Sequence, residues 1–340
     1  MAVAVGLGKA KARNGGEAED ARLKELTRVS AAKGTLALKA AGSKAFAVDP
    51  LYSAHAAAVG AELAAWSYTL KTTTDALEKA EPVEITPLGE AVEPALESDK
   101  ASSNRIALDW ATGKCYAEAQ NTARTLMETP ANRLTPTLFC DKAAEQLKGL
   151  DNVTFEAHDL AWAEEKKMGS FISVSRGSSQ PLRFLEAHYK GAGDAPPVAL
   201  VGKGITFDTG GISLKPGANM KEMKGDMGGA AVTYSAFVAA AKLRLPINVS
   251  LFIALTENMP GPAATKPGDI VTAANGVTIE VDNTDAEGRL VRVCSSFMGM
   301  REFCTNTISS LNRSSLTRCT TPRRCTSPRR SLTWRHLQER

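Results

Sequence analysis

Apolar and polar positions follow two different periods along this chain, and each change of period marks an element. Continuous or alternating apolar runs predict strands at Ala2–Val5, Val153–Ala157, Arg183–Tyr189, Pro197–Val201 and Ile247–Leu255. Helical spacing predicts helices at Glu17–Ala31, Ala54–Thr69 and Asn104–Met127, the last through Ile106, Trp110, Tyr116, Ala119, Ala123 and Leu126 at steps of three and four. Pro130 and Pro136 are read as stopping that helix. Ala230–Ala241 predicts a small-residue helix, and Ile270–Val281 a hairpin closed by Asn275-Gly276 in a type I′ turn. No internal repeat is visible.

This alternation of strand and helix predicts an α/β fold with a mixed, mainly parallel sheet flanked by helices, arranged as two domains joined by a helix. Residues 1–100 are expected to form a partial α/β domain that ends in an acidic, proline-bearing connector from Glu81 to Ser103. Residues 101–130 carry the linking helix, 131–290 a partial catalytic domain, and 291–340 a basic tail.

Composition changes the picture mainly at that tail. The chain has 340 residues, enough for two domains with their own cores, and its 43% apolar and 23% charged residues are ordinary for a globular protein. The net charge of +4 misleads, because residues 291–340 hold ten Arg, no Lys and two Glu, a balance of +8. The other 290 residues therefore carry 4 − 8 = −4. Cys294, Cys304, Cys319 and Cys325 crowd into the same segment with Ser, Thr and Pro, and no apolar period survives there. The expected reading is a disordered or out-of-frame end. Its arginines would meet nucleic-acid phosphates by charge alone, and with no aromatic platform beyond Trp334 a nucleic-acid role is not expected. No stretch reaches the length of a membrane span, and no secretory signal is apparent at the start, so a cytoplasmic protein is expected. Cys115 and Cys140 stand apart and suit free thiols in a reducing compartment.

The candidate chemistry lies in two glycine-punctuated segments. One runs from Val201-Gly-Lys-Gly through Asp208-Thr-Gly-Gly to Lys215 and on to Asp226; the other reads Val281-Asp-Asn-Thr-Asp-Ala-Glu-Gly-Arg289. Carboxylates packed among glycines and apolar strands are tolerated when a cation meets them. Lys203 is expected at a strand end, where α/β sheets bind ligands. Asp285 and Glu287 are two apart and would share one face of an extended segment. With Asp208 and Asp226 they supply four carboxylates, enough for a pair of divalent cations sharing bridging oxygens. Such a pair activates a water and polarises a carbonyl. The four histidines, His55, His158, His188 and His336, are scattered, which excludes a histidine-built zinc protease. A carboxylate set suits Zn, Mn or Mg without choosing among them. Neither Gly202-Lys-Gly nor Met227-Gly-Gly has the spacing of a phosphate loop.

Asn-Thr-Asp-Ala-Glu-Gly-Arg-Leu at 283–290, with Met168-Gly-Ser-Phe, Leu126-Met-Glu-Thr-Pro-Ala-Asn132 and Val5-Gly-Leu-Gly-Lys9, resembles the leucyl aminopeptidase (cytosol aminopeptidase, M17) family over about residues 1–290. The resemblance implies metal ligands at Lys203, Asp208, Asp226, Asp285 and Glu287, a catalytic lysine at Lys215 and a catalytic arginine at Arg289. It implies a metalloprotease that removes N-terminal, leucine-like residues from peptides through a dinuclear, metal-activated hydroxide. Arg289 would hold a bicarbonate base, and Lys215 would stabilise the oxyanion, an interaction worth about 3 kcal/mol. Lys203 must be neutral to ligate. Family members assemble as hexamers. Leu126, Met127 and Thr129 match an accessory cation site of some relatives, or read simply as helix-end packing. The match fades after Leu290, so a catalytically impaired relative with a structural or regulatory role is the alternative expectation.

Overall fold

The computed structural model describes residues 3–5, 17–50, 52–70, 72, 81–89 and 107–291. Val3–Val5 have no regular structure, in place of the expected strand, and the Gly6-Leu-Gly8 turn lies outside the described residues. The first elements are α1 (Glu17–Ala40), β1 (Ala45–Val48), α2 (Ala54–Ala65) and β2 (Glu84–Pro87). Helix α1 outruns its expected end at Ala31 because Thr35 and Leu38 continue the buried stripe of Thr27, Ser30 and Ala31. That stripe meets the small residues Ala56–Ala61 of α2. Helix α2 ends at Ala65, short of Thr69, because Trp66 turns out of the helix at ψ 135°. The indole then docks: Nε1 donates to Thr125 Oγ1 at 3.1 Å, the ring stacks on Tyr68, and the Arg124 guanidinium lies 3.9 Å from the ring centroid.

Strand β2 corrects the connector reading. It pairs parallel with β1 in the register Phe46↔Ile85, and Ile85 is buried. Val83 and Ile85 form a two-residue apolar period inside the acidic stretch, and Pro87 sits at the strand end, where a missing N–H is tolerated. Residues 90–103 lie outside the described residues.

The remaining elements are α3 (Trp110–Glu128), α4 (Pro136–Leu147), β3 (Val153–His158), α5 (Leu160–Glu165), α6 (Gly169–Ser175), β4 (Arg183–Lys190), β5 (Val198–Asp208), α7 (Gly228–Lys242), β6 (Asn248–Asn258), β7 (Ile270–Thr272) and β8 (Thr278–Glu280). Helix α3 starts at Trp110 because the Asp109 carboxylate accepts from Thr112 N at 2.8 Å and caps it. Pro136 does not only stop a helix. It opens α4 at the first helical position, where its fixed φ is favourable, with Thr135 as the cap. At the other end of α3, Leu126 is buried, Met127 lies against Gly228, and Thr129 Oγ1 accepts from Tyr68 OH at 2.9 Å, so these three residues pack. Helix α3 itself packs on α2 and on α7.

The sheet has the order β3-β4-β6-β5 among the described residues. It is mixed: β5 runs parallel to β6, while β3·β4 and β4·β6 are antiparallel. The parallel character is confined to β5·β6, whose crossover is α7. Strand–helix alternation does not by itself set direction, since two short helices separate β3 from its antiparallel partner β4. The hairpin β7–β8 forms as expected, but its turn has only Gly276 at positive φ (84°). A type I′ turn needs two such residues, so the turn here is instead a tight turn followed by a left-handed glycine, with Gly276 N donating to Ala273 O at 2.8 Å.

The period of two sorts the sheet residues onto its faces. Leu185, Ala187, Leu251, Ile253 and Leu255 face α3, α4 and α7, while Phe184, Phe252, Ala254 and Ile205 face α6, the hairpin and Leu290. A separate small-residue core of Ala31, Ala57, Ala61 and Ile85 joins α1, α2 and β2. All described residues fall within one compact unit. Cys140 is buried and Cys115 half-buried, both as free thiols, and burial pushes the Cys140 thiol up to about 12. Among the described residues no helix is long and apolar enough to cross a membrane.

Candidate metal centre

The site is built at the carboxyl end of β5, and the strand reaches it in an unexpected way. Instead of ending near Val201, β5 begins with exposed Val198 and runs through Lys203 to Asp208. Lys203 and Asp208 are five apart, an odd separation that places two side chains on opposite faces of a regular strand. A bulge between Ile205 and Phe207 removes the conflict. It makes Thr206 the extra residue, so Lys203 pairs with Ala254 and Asp208 with Asn258, four apart on β6 and therefore on one face.

Two further segments come to this edge. After Asp208 the chain turns through Gly210 (φ 88°) and Gly211 (φ 69°), conformations that favour glycine. Gly210 is also held close: a Cβ there would lie 2.4 Å from Ser213 O and 2.9 Å from Asp285 Oδ1. The loop continues to Lys215, and a short 3₁₀ turn, Met220–Gly225, delivers Asp226 just ahead of α7. The 283–287 segment is a turn and not extended: Asp285 N donates to Asn283 Oδ1 at 2.8 Å and Ala286 N to Asn283 O at 3.2 Å. Asp285 and Glu287 converge through this turn, not through strand periodicity.

The result is two linked ion clusters. Lys203 Nζ lies 2.9 Å from Asp226 Oδ1, 2.8 Å from Asp226 Oδ2 and 2.7 Å from Glu287 Oε1. Lys215 Nζ lies 3.0 Å from Asp208 Oδ2 and also contacts Asp285 Oδ1. Asp208, Asp285 and Glu287 each offer an oxygen within 4.8 Å of the others, which joins the clusters. Asp226 stands outside that trio and reaches Glu287 through the Lys203 ammonium. Arg289 is exposed in the helical stretch 288–291, directly after Gly288, where a Cβ would lie 3.3 Å from Lys203 Nζ.

The electrostatics are unbalanced. Four carboxylates meet two ammonium groups in a region where Asp208 and Glu287 are each only 2% exposed. Burial, opposed by the lysine and reinforced by Glu287 and Asp208, raises Asp226 to about 6. Burial alone would depress Lys203, but its hydrogen bonds to Asp226 and Glu287 outweigh this and raise its pKa. The two carboxylates that face it thus favour the charged form of Lys203. Lys215 is likewise held protonated: burial opposes its charge, and Asp285 and Asp208 overcome that.

The residues fit divalent cations. Asp226 Oδ2, Asp285 Oδ1 and Glu287 Oε2 are buried without a hydrogen-bond partner. The first two touch lysine ammonium groups, and Glu287 Oε2 has no such contact. Buried carboxylate oxygens in excess of their donors are what hard cations bind. No histidine belongs to this cluster among the described residues. His158 and His188 instead bracket Glu186, at 3.1 and 2.9 Å.

Sequence reasoning missed Asn258, which donates to Asp208 Oδ1 at 2.8 Å, and Thr284, whose Oγ1 donates to Gly210 O at 2.6 Å. A signal was present for the first, since Asn258 is an amide three residues past the apolar run Leu251–Leu255 of the same strand.

Comparison with known proteins agrees with this geometry. The profile of the cytosol aminopeptidase family, catalytic domain, matches residues 121–302, more than half of the 340-residue chain and somewhat past Leu290. Cytosol aminopeptidase of Sus scrofa is 45% identical over 292 residues, 85% of this chain and 53% of that protein. Its counterpart in Homo sapiens is 45% identical over 293 residues, with the same coverage. The chain thus spans about half the length of the curated relatives it matches. The apo structure of leucyl aminopeptidase from Trypanosoma cruzi is similar with a TM-score of 0.68 and 30% identity, covering 81% of this chain and 52% of that one. The bottromycin maturation enzyme BotP, in complex with Mn, is similar with a TM-score of 0.65 and 32% identity, covering 79% of this chain and 55% of that one. With its bulged strand, its glycine turns and its excess of buried carboxylates, this chain belongs to the cytosol aminopeptidase family, a family of metallo-aminopeptidases.

Proposed function

We propose that the chain carries the catalytic centre of an aminopeptidase that uses two divalent cations, Zn, Mn or Mg, to release leucine-like N-terminal residues from peptides. The observation that supports this most is the set of buried carboxylate oxygens at Asp226, Asp285 and Glu287 without hydrogen-bond partners. Asp208, Asp285 and Glu287 would hold one cation, and Asp226, Glu287 and a deprotonated Lys203 the other. When bound, the cations supply water activation and carbonyl polarisation at neutral pH. Lys215, already an ammonium beside Asp208 and Asp285, is placed to balance negative charge that develops on the substrate oxygen. Arg289, two residues past Glu287, would hold a bicarbonate that accepts a proton. A cytosolic location and a hexamer are parts of the same reading, taken from the family.

The test is hydrolysis of leucine-p-nitroanilide by the purified 340-residue chain with Mn²⁺ or Zn²⁺, beside Glu287→Ala. Turnover by the parent that falls to background in the variant supports the reading. A folded, soluble parent without turnover refutes it.

A further inference from the structure

One buried amide connects the carboxylate-bearing segments. Asn258 ends β6 and is 4% exposed. Its Nδ2 donates to Asp208 Oδ1 at 2.8 Å and to Thr284 O at 3.0 Å. Both partners are acceptors, so the amide orientation is fixed by its neighbours. Gly210 N also donates to Asp208 Oδ1, at 2.9 Å. Two donors therefore occupy Oδ1 and leave Oδ2 as the outward-facing oxygen, beside Lys215.

The second bond carries the coupling across the site. Thr284 precedes Asp285 and is locked to the loop after β5: its Oγ1 donates to Gly210 O at 2.6 Å and accepts from Ser213 N at 2.8 Å. Ser213 Oγ accepts from Thr284 N at 3.2 Å. Gly211 lets the pieces close together, since a Cβ there would lie 2.8 Å from Asn258 Oδ1 and 3.1 Å from Thr284 Oγ1.

We propose that Asn258 is a positioning residue of the metal centre: it turns Asp208 so that Oδ2 faces the cation, and it staples the segment bearing Asp285 and Glu287 to the end of β5. The assignment rests on the metallo-aminopeptidase reading for its cation, but the staple itself is a property of the protein. Supporting partners of metal ligands typically change affinity by roughly 10–100-fold when removed.

The experiment uses the full chain and two variants, Asn258→Ala, which deletes the donor, and Asn258→Asp, which keeps the volume and replaces the donor by an acceptor. Calorimetric titration with Mn²⁺ measures affinity, and amide hydrogen exchange of the metal-free proteins measures the loops. Expected are an affinity loss of roughly 10–100-fold, larger for Asn258→Asp, and faster exchange at 209–215 and 283–287 together, with α1 and α2 unchanged. Affinity within twofold of the parent overturns the proposal, as does loosening of one loop alone. Faster exchange throughout the chain, α1 and α2 included, marks general destabilisation and also overturns it. If the parent takes no Mn²⁺, the aminopeptidase reading fails separately. Exchange then decides: joint loosening of the two loops supports the staple, and unchanged exchange overturns it.

Discussion

Helix α1 and the carboxyl end of β5 both carry dense charge, and they handle it in opposite ways. On α1, Arg22 pairs with Glu19, Lys24 with Asp20 and Arg28 with Glu25, each three or four residues apart, one cation to one anion. Beneath them the contact with α2 is made by small residues and hydroxyls. At the end of β5 Asp208 and Glu287 are buried, Asp226, Asp285 and both lysines are half-buried, and four carboxylates face two lysines. Balanced exposed pairs describe a solvated helix surface. An unbalanced buried set is stable only if something cationic completes it. The charge ratio, more than the number of acidic residues, separates a functional centre from a surface.

Three perturbations break or sharpen that contrast. The largest effect is expected from inserting one residue into β6 between Thr256 and Glu257, opposite Thr206. Giving Thr206 a partner removes the bulge and puts Lys203 and Asp208 five regular positions apart on opposite faces, so turnover should fall to background while far-ultraviolet circular dichroism still reports a folded chain. Retained turnover would show that the bulge is not what brings the two together. Next is Gly60→Ala in α2, where a Cβ would lie 2.0 Å from Arg28 O. The backbones must separate, and a loss of about 1–3 kcal/mol is expected in chemical denaturation, with Mn²⁺ affinity retained because the site lies elsewhere. The smallest is Arg28→Gln, which removes one surface pair and should change stability by no more than about 0.5 kcal/mol. A loss of several kcal/mol there would mean that the α1 pairs stabilise the fold as strongly as buried ones.

Most elements were legible because they are long and strongly periodic. Strands β4 and β6, helices α3 and α7 and the hairpin fell within a few residues of their expected places. What was not legible came from context. Strand β2 is short and lies in acidic sequence, and its partner β1 is far away in the chain. Trp66 leaves its helix because Thr125, Tyr68 and Arg124 receive it. Lys203, Asp208, Lys215, Asp226, Asp285 and Glu287 lie together as their sequence segments suggest, yet the geometry that unites them was hidden. Period two predicts that Lys203 and Asp208 diverge, and only pairing with β6 shows the extra residue. Asp285 and Glu287 converge through an Asn283 turn that gives the same outcome as an extended segment for a different reason. Asn258 lay just beyond the apolar run that defined its strand.

The most direct test of a cation centre at the end of β5 is anomalous diffraction from a crystal of the chain soaked in Mn²⁺. Anomalous peaks are expected within bonding distance of Asp208, Asp285 and Glu287, with the Lys215 ammonium displaced from Asp285 and Lys203 turned from ion pair to ligand. A well-diffracting soaked crystal with no peak there, and with both lysines still bound to their carboxylates, would contradict it.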